Sequence, residues 1–242
     1  MTKEDLVRIN RYISDKGICS RREADRAIEE GRVEINGRVA VLGDKVSESD
    51  LVKVDGKTVP KKRQKDIIIA YYKPVGVECT TNQDVEANIV DAVGLDDRVF
   101  PIGRLDKMSE GLILLTNLGD IVNKILRSEN NHEKEYIVYL NNPVRDETLE
   151  VMRKGMLLDV GGEEVQTKSC VVERIRRDCI RMVLTEGKNR QIRRMLEKFD
   201  LRAKRLKRIR VLNIGLGDLA PGEWRDLTAK EKTILLGRIQ KR

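Results

Sequence analysis

"PIGRLDKMSEGLILLTN" (residues 101–117) sets a glycine-flanked turn in front of an apolar run that begins at Leu112. One carboxylate, Asp106, stands between Gly103 and Gly111. Gly103 permits an unusual φ or a close backbone approach, and an acid on such a turn is held by backbone and does not wander. The run itself is read as a strand over 112–116. Working outward, further strands are expected at 67–72, 135–140, 165–173, 179–184 and 204–214, with helices at 120–127, 146–154, 189–199 and 229–239. Thr228 and Glu231 form a capping box for the last of these. Strands follow one another without a regular crossover helix. That pattern predicts an α+β fold: a mixed, mainly antiparallel sheet flanked by helices.

The N-terminal segment reads helix, helix, hairpin. Leu6, Ile9 and Ile13 make an apolar stripe at helical spacing, and Gly17 can stop that helix. Ser20 and Glu23 form a capping box, Ala24, Ala27 and Ile28 face a core, and Gly31 ends the turn. Val33 and Ile35 alternate, Asn36-Gly37 supplies a tight hairpin, and Val39 and Val41 return. "LVKVDGKTV" (51–59) repeats the design with Asp55-Gly56. Arg8, Arg11, Arg21, Arg22 and Arg26 are placed on the two helices. The basic, proline-led "PKKRQK" (60–65) marks a join. The expected organisation is a small domain over 1–60, a linker over 61–66 and a larger domain over 67–242.

Composition narrows the chemistry. Of 242 residues 40% are apolar and 3% aromatic, so the cores must be aliphatic and each tyrosine is worth inspecting. No apolar run approaches the roughly 20 residues that span a bilayer, and the first residues lack a signal-peptide core. The four cysteines form no CxxC pair, which argues for a reducing cytosol and a cytoplasmic protein. A single histidine, His132, leaves almost no material for histidine-based metal sites or Ser-His-Asp catalysis. Net charge is +8, and residues 188–210 hold eleven Lys/Arg against Glu197 and Asp200. So concentrated an excess, Lys188 and Arg190 included, reads as a phosphate-binding face. No apolar stripe is left over, which favours a monomer.

Two further segments accompany Asp106. "HEKEYIVYL" (132–140) puts Tyr136 at the start of an alternating strand. "TEGKNRQIRRMLEKF" (185–199) sets a glycine-containing loop before a helix whose Ile192, Met195, Leu196 and Phe199 face the core. Arg193, at the edge of that face, is partly desolvated and could take a buried carboxylate in a bidentate pair.

"GICSRREADRAIEEGRVEINGRV" (17–39) resembles the S4 RNA-binding module, a helix pair on a hairpin sheet that touches RNA through its helical face. "KPVGVECTT" (73–81), "GRLDKMSEGLILLTN" (103–117), "KEYIV" (134–138) and "EGKNRQIRRM" (186–195) resemble, in order, the motifs of pseudouridine synthases. With the S4-like start, the chain is similar to the RsuA branch of ribosomal RNA pseudouridine synthases, and within it to the RluF type, which modifies large-subunit ribosomal RNA.

The resemblance implies roles. Asp106 matches the catalytic aspartate and Tyr136 the tyrosine that stacks on the target base. Arg193 matches the basic residue that pairs with the aspartate, and Ile192 the aliphatic residue packed beneath it. Lys73 and Pro74 match a Lys-Pro motif that buttresses the floor of the site. Arg104 is similar to an arginine that reaches into RNA near the flipped nucleotide. Tyr72 stands where asparagine is usual, and Met108 where a polar residue is common. The implied reaction breaks N1–C1′, turns the base and joins C5 to C1′, with no redox change and no external group. It therefore implies neither cofactor nor metal. The implied partner is ribosomal RNA, with transfer RNA a further candidate. The rival is a non-enzymatic S4-type ribosome-assembly factor, in which Asp106, Tyr136 and Arg193 need not converge. A glycosidase would need a second carboxylate, and Glu110, four residues on, is expected to cap or pair locally.

Overall fold

The computed structural model describes residues 6–61, 66–126 and 131–240. The chain divides into two compact units, Met1–Asp66 and Ile67–Arg242. Most of the expected linker, residues 62–65, lies outside the described residues, as does the last residue of the helix expected over 120–127.

The first unit contains β1 (Val7–Arg8), α1 (Ile9–Asp15), α2 (Arg21–Glu29), β2 (Val33–Ile35), β3 (Arg38–Val39), β4 (Lys45–Val46), β5 (Val52–Val54) and β6 (Lys57–Thr58). The capping box is present: Glu23 N donates to Ser20 Oγ at 3.1 Å and Ser20 N to Glu23 Oε2 at 2.6 Å. Asn36-Gly37 and Asp55-Gly56 all have positive φ, as two-residue hairpins require, and the sheet order is β3-β2-β5-β6. Ile9, Ile13, Ala24, Ala27, Ile28, Val33 and Ile35 are buried together. Three readings need correction. Leu6 precedes α1 and is 60% exposed; Tyr12 takes its place in the core. Arg8 lies on β1, so it is not helical. Val39 and Val41 face outward while Ala40 between them is buried, because Ala40 N bonds Val33 O at 2.9 Å and fixes the alternation the other way.

The second unit is built on β7 (Ile68–Lys73), α3 (Ile89–Val93), β8 (Phe100–Ile102), β9 (Glu110–Thr116), α4 (Gly119–Leu126), β10 (Lys134–Leu140), α5 (Asp146–Lys154), β11 (Leu157–Val160), β12 (Glu163–Gln166), β13 (Val171–Arg176), β14 (Cys179–Leu184), α6 (Gln191–Glu197), β15 (Ala203–Val211), β16 (Ile214–Gly215), β17 (Trp224–Asp226) and α7 (Ala229–Gln240). Among the described residues a nine-stranded sheet runs β13-β14-β10-β15-β9-β7-β17, with β8 on β9 and β16 on β15. Only the β9–β15 pairing is parallel. The α+β expectation therefore holds in type and in sheet character.

Alternation along β9 makes three layers. Ile113 and Leu115 pack with α3, α5 and α6 on one face, while Leu112 and Leu114 pack with α4 and α7 on the other. The β9–β15 junction needs Gly111. Its φ is +103°, and a Cβ there would lie 2.2 Å from Arg208 O. The strand expected over 165–173 is two strands, because the backbone of 167–170 bonds elsewhere: Thr167 N to Met156 O, Lys168 N to Glu186 Oε1 and Cys170 N to Arg153 O. That expected over 204–214 stops at Val211, where Leu212 turns with φ 54°.

Candidate active site

Asp106 sits on the turn between β8 and β9. Gly103 has φ +79°, and a Cβ there would meet Leu126 Cδ2 at 2.9 Å, so the turn passes tightly over α4. It is pinned from the other side by the segment after β7. Leu105 N donates to Cys79 Sγ at 3.3 Å, Gly76 N to Lys107 O at 2.8 Å, and Ser109 N closes the turn onto Asp106 O at 2.9 Å. Lys73 is fully buried. Its ammonium donates to Pro74 O at 2.8 Å and Val77 O at 2.7 Å, with a longer contact to Lys107 O. Burial pushes the pKa of Lys73 down, and Cys79, Asp106 and Glu110 oppose that. Lys73 and Pro74 thus lie behind the turn, as struts beneath the residues that line the cavity.

Arg193 arrives from the first turn of α6. Its Nε is 3.8 Å from Asp106 Oδ2. The expected bidentate pair does not form, because the two terminal nitrogens are engaged elsewhere. Nη1 donates to Ala203 O at 3.2 Å, and Nη2 to Met108 O at 2.9 Å and Ser109 Oγ at 3.3 Å. The arginine therefore clamps the far side of the aspartate turn to β15. Burial lowers its pKa and Asp106 raises it, and a guanidinium remains charged in either case. Its Nε is buried with no hydrogen-bond partner among the described residues.

Tyr136 on β10 is 8% exposed and Ile192 on α6 4%. Both line one cavity of about 560 Å³ with Asp106, Arg104, Lys188 and Arg190, a volume typical of ligand sites. Arg104 and Arg190 are exposed at its lip, and Arg190 caps α6 in the left-handed conformation. The cavity also holds two residues that the sequence reading passed over, Lys134 and Arg208. Lys134 precedes Tyr136 by two on the same strand, so the period-2 rule already places it on the tyrosine's face. Arg208 is cross-strand from Tyr136, and only the β10–β15 register reveals it. A bulge at Ile209 puts Arg208 opposite Tyr136 but Arg210 opposite Glu135. Such a bulge re-aims side chains.

That register also corrects the reading of segment 188–210 as one phosphate-binding face. Arg205 pairs with Glu110, and Arg210 pairs with Glu133 at 3.0 Å and Glu135 at 2.6 Å. Arg194 donates to the backbone oxygens of Asn189 and Asp159, and Arg208 is 3% exposed. Alternation sends neighbouring cations to opposite faces, and buried carboxylates neutralise part of the run. Glu110 is no local cap. Tyr72 Oη donates to it at 2.9 Å, and its other partner is Arg205 from β15. Burial pushes its pKa up, but those bonds outweigh burial and hold it low. The unusual Tyr72 thus has a partner, and Glu110 is committed away from the two-carboxylate chemistry of a glycosidase. Met108 is 61% exposed.

In the first unit Arg8, Arg21, Arg22 and Arg26 are exposed, while Arg11 pairs with Asp15 at 3.3 Å. His132 bonds the backbone oxygen of Ile125 through Nδ1 at 2.9 Å. Among the described residues, no group of three or more His, Cys, Asp or Glu side chains is placed to hold a metal ion, and no helix is long and apolar enough to cross a membrane.

Comparison with known proteins fits this geometry. The profile of the RNA pseudouridylate synthase family matches residues 67–198, and that of the S4 domain residues 7–52. The dual-specificity RNA pseudouridine synthase RluF of Escherichia coli (strain K12) is 49% identical over 241 residues, covering 99% of this chain and 82% of that protein. The ribosomal large subunit pseudouridine synthase B of Bacillus subtilis (strain 168) is 33% identical over 231 residues, covering 93% of this chain and 94% of that one. A crystal structure of a pseudouridylate synthase superposes with a TM-score of 0.69 at 25% identity, covering 95% of this chain and 99% of the other. The chain belongs to the RNA pseudouridine synthase family and carries an S4 domain ahead of its catalytic fold.

Proposed function

We propose that this enzyme isomerises a uridine of large-subunit ribosomal RNA to pseudouridine, with Asp106 as the group that acts on the ribose. The observation that carries the reading is convergence. Asp106, Tyr136 and Ile192 come from three separate elements yet line one cavity, with Arg193 held 3.8 Å from the carboxylate. A non-enzymatic RNA binder has no need of that meeting. In the proposed reaction the target uridine is extruded from folded RNA at a cost of a few kcal/mol. Tyr136 offers its ring to the pyrimidine, a stacking contact of roughly 1–3 kcal/mol. Asp106 acts as nucleophile or base at the sugar. Arg104, Lys188 and Arg190 at the lip, and Arg8, Arg11, Arg21, Arg22 and Arg26 in the S4 domain, serve the phosphates. The ribosomal target is supported by the name of the Bacillus subtilis relative, and the name of the dual-specificity relative fits a second RNA substrate, for which we propose transfer RNA. We place the enzyme in the cytoplasm as a monomer. The spacing of the four cysteines, which form no CxxC pair, supports a reducing compartment.

The test is Asp106→Asn on an unmodified large-subunit ribosomal RNA transcript. The variant should bind RNA as the wild type does and form no pseudouridine, scored by carbodiimide labelling of pseudouridine and the primer-extension stop it leaves. Pseudouridine formed at the wild-type rate would remove Asp106 from the chemistry.

A further inference from the structure

Lys134 and Arg208 have no part in the mechanism so far, yet both line the cavity that holds Asp106 and Tyr136. Arg208 is 3% exposed. Its Nε donates to Leu112 O at 2.6 Å, which fixes the guanidinium, while its Nη2 is buried with no hydrogen-bond partner among the described residues. Lys134 is half-buried, and its ammonium has a long 3.4 Å contact to His132 O. Two cations side by side in a desolvated pocket repel each other and are costly to keep. Buried Glu186 offsets part of that cost, and an anion that arrives with the substrate would offset more.

The reaction generates such an anion. When the N1–C1′ bond breaks, its electron pair leaves with the pyrimidine, whose charge spreads over the ring nitrogens and carbonyl oxygens. This holds whether Asp106 attacks C1′ or removes a sugar proton. The base then turns and C5 supplies the pair for the new C5–C1′ bond, as the C1′–Asp106 bond breaks on the attack route or the sugar regains its proton from Asp106 on the proton-removal route. The C5 proton is then lost and N1 is protonated. We propose that Lys134 and Arg208 are catalytic residues that hold the pyrimidine anion between bond cleavage and bond formation, a leaving-group hole beneath the ring of Tyr136. The register supports this. Arg208 is directly opposite Tyr136 across β10–β15, and Lys134 is two residues from it on the same face. A base stacked on Tyr136 would meet both cations, whereas backbone phosphates would stay at the lip with Arg104 and Arg190. Burial and Arg208 push Lys134 down to about 8, with Glu186 opposing, so it is still largely an ammonium at neutral pH. The inference rests on the pseudouridine synthase activity of the family.

The experiment uses the full chain and an in vitro transcript of large-subunit ribosomal RNA, made once with uridine and once with 5-fluorouridine. Fluorine makes the departing pyrimidine a weaker base, so cleavage needs less help. Single-turnover rates at saturation are read on both RNAs as loss of the N-glycosidic nucleoside, because the fluorinated base has no C5 proton to lose and gives no pseudouridine. These rates and Kd are measured for wild type, Lys134→Gln, Lys134→Arg and Arg208→Lys, with Trp224 fluorescence confirming the fold. Lys134→Gln should lose about 100-fold in rate on uridine RNA, as loss of an anion-stabilising donor does. Kd should change little, the loss should shrink at least several-fold on the fluorinated RNA, and Lys134→Arg should recover most of the rate. Wild-type isomerisation of the transcript tests the underlying activity, and the variant-to-wild-type ratio tests the cation pair. A loss confined to Kd would assign the pair to a phosphate and overturn the proposal. An equal rate loss on both RNAs would make Lys134 a merely structural group and overturn it too. Arg208→Lys is read beside Lys134 because Arg208 also supports Leu112 O.

Discussion

Replacing Lys134 by methionine should make the protein more stable and less active. The amine of a free lysine titrates at 10.5, and here it is lowered to about 8, first by burial and then by Arg208. The sign follows from linkage. Below pH 8 both folded and unfolded chains carry the proton, and the folded state bears the full cost of the desolvated charge. Between about 8 and 10.5 the folded state releases its proton first, so stability rises with pH through that window. A difference of about 2.5 units at ~1.36 kcal/mol each gives a cost on the order of 3 kcal/mol at neutral pH. Methionine fills the same space without charge and forfeits the long contact to His132 O and the attraction of Glu186, which the lowered pKa already nets off. Urea denaturation is followed by the single tryptophan, Trp224, which lies on β17 in the catalytic unit. At pH 7 the variant should gain a few kcal/mol, or roughly 5–10 °C in Tm for a chain of this size. Its advantage over wild type should shrink as pH rises from 8 to 10.5, while its activity stays depressed throughout. The difference between the two proteins is the quantity to read, because other lysines and tyrosines titrate in the same range. A methionine variant less stable than wild type at pH 7, or an advantage that ignores pH, would refute the reasoning.

Other outcomes are expected. Gly111→Ala places a Cβ 2.2 Å from Arg208 O at φ +103°, so it should cost several kcal/mol and unfold the catalytic unit at lower urea; unchanged urea midpoints would mean that β9 and β15 part easily. Arg193→Lys cannot hold Ala203 O, Met108 O and Ser109 Oγ together, so kcat should fall at least tenfold with little change in Kd for RNA; wild-type kcat would show that charge alone suffices beside Asp106. A chain starting at Ile67 should fold and bind RNA more weakly. If Arg8, Arg21, Arg22 and Arg26 each meet a phosphate, the slope of log K against log salt should flatten by about 3. An unchanged slope would take those arginines out of the interface.

Most of the sheet was legible because buried strands advertise themselves. "IIIAYYK" and "GLILLT" are apolar on both faces, and they became β7 and β9 within two residues of expectation. Helix ends were legible where side chains cap them, at Ser20-Glu23 and at Thr228-Glu231. Illegible features depended on partners distant in sequence. Nothing local in 165–173 says that its middle bonds to Met156, Glu186 and Arg153, and nothing local at Glu110 announces Arg205, 95 residues on. The site divides the same way. Local pattern marked Asp106, Tyr136 and Arg193 for attention and the resemblance to pseudouridine synthases supplied their roles, yet Arg208 was one more cation in a basic run until the bulge at Ile209 set its direction. Charge counted along a chain measures supply, and pairing across the sheet decides its use. Glu110, Glu133 and Glu135 take Arg205 and Arg210 for the fold, Arg104 and Arg190 face the solvent, and Lys134 and Arg208 are left in the pocket. Cations kept beside the reacting centre at a cost in stability mark the place where the reaction makes its negative charge.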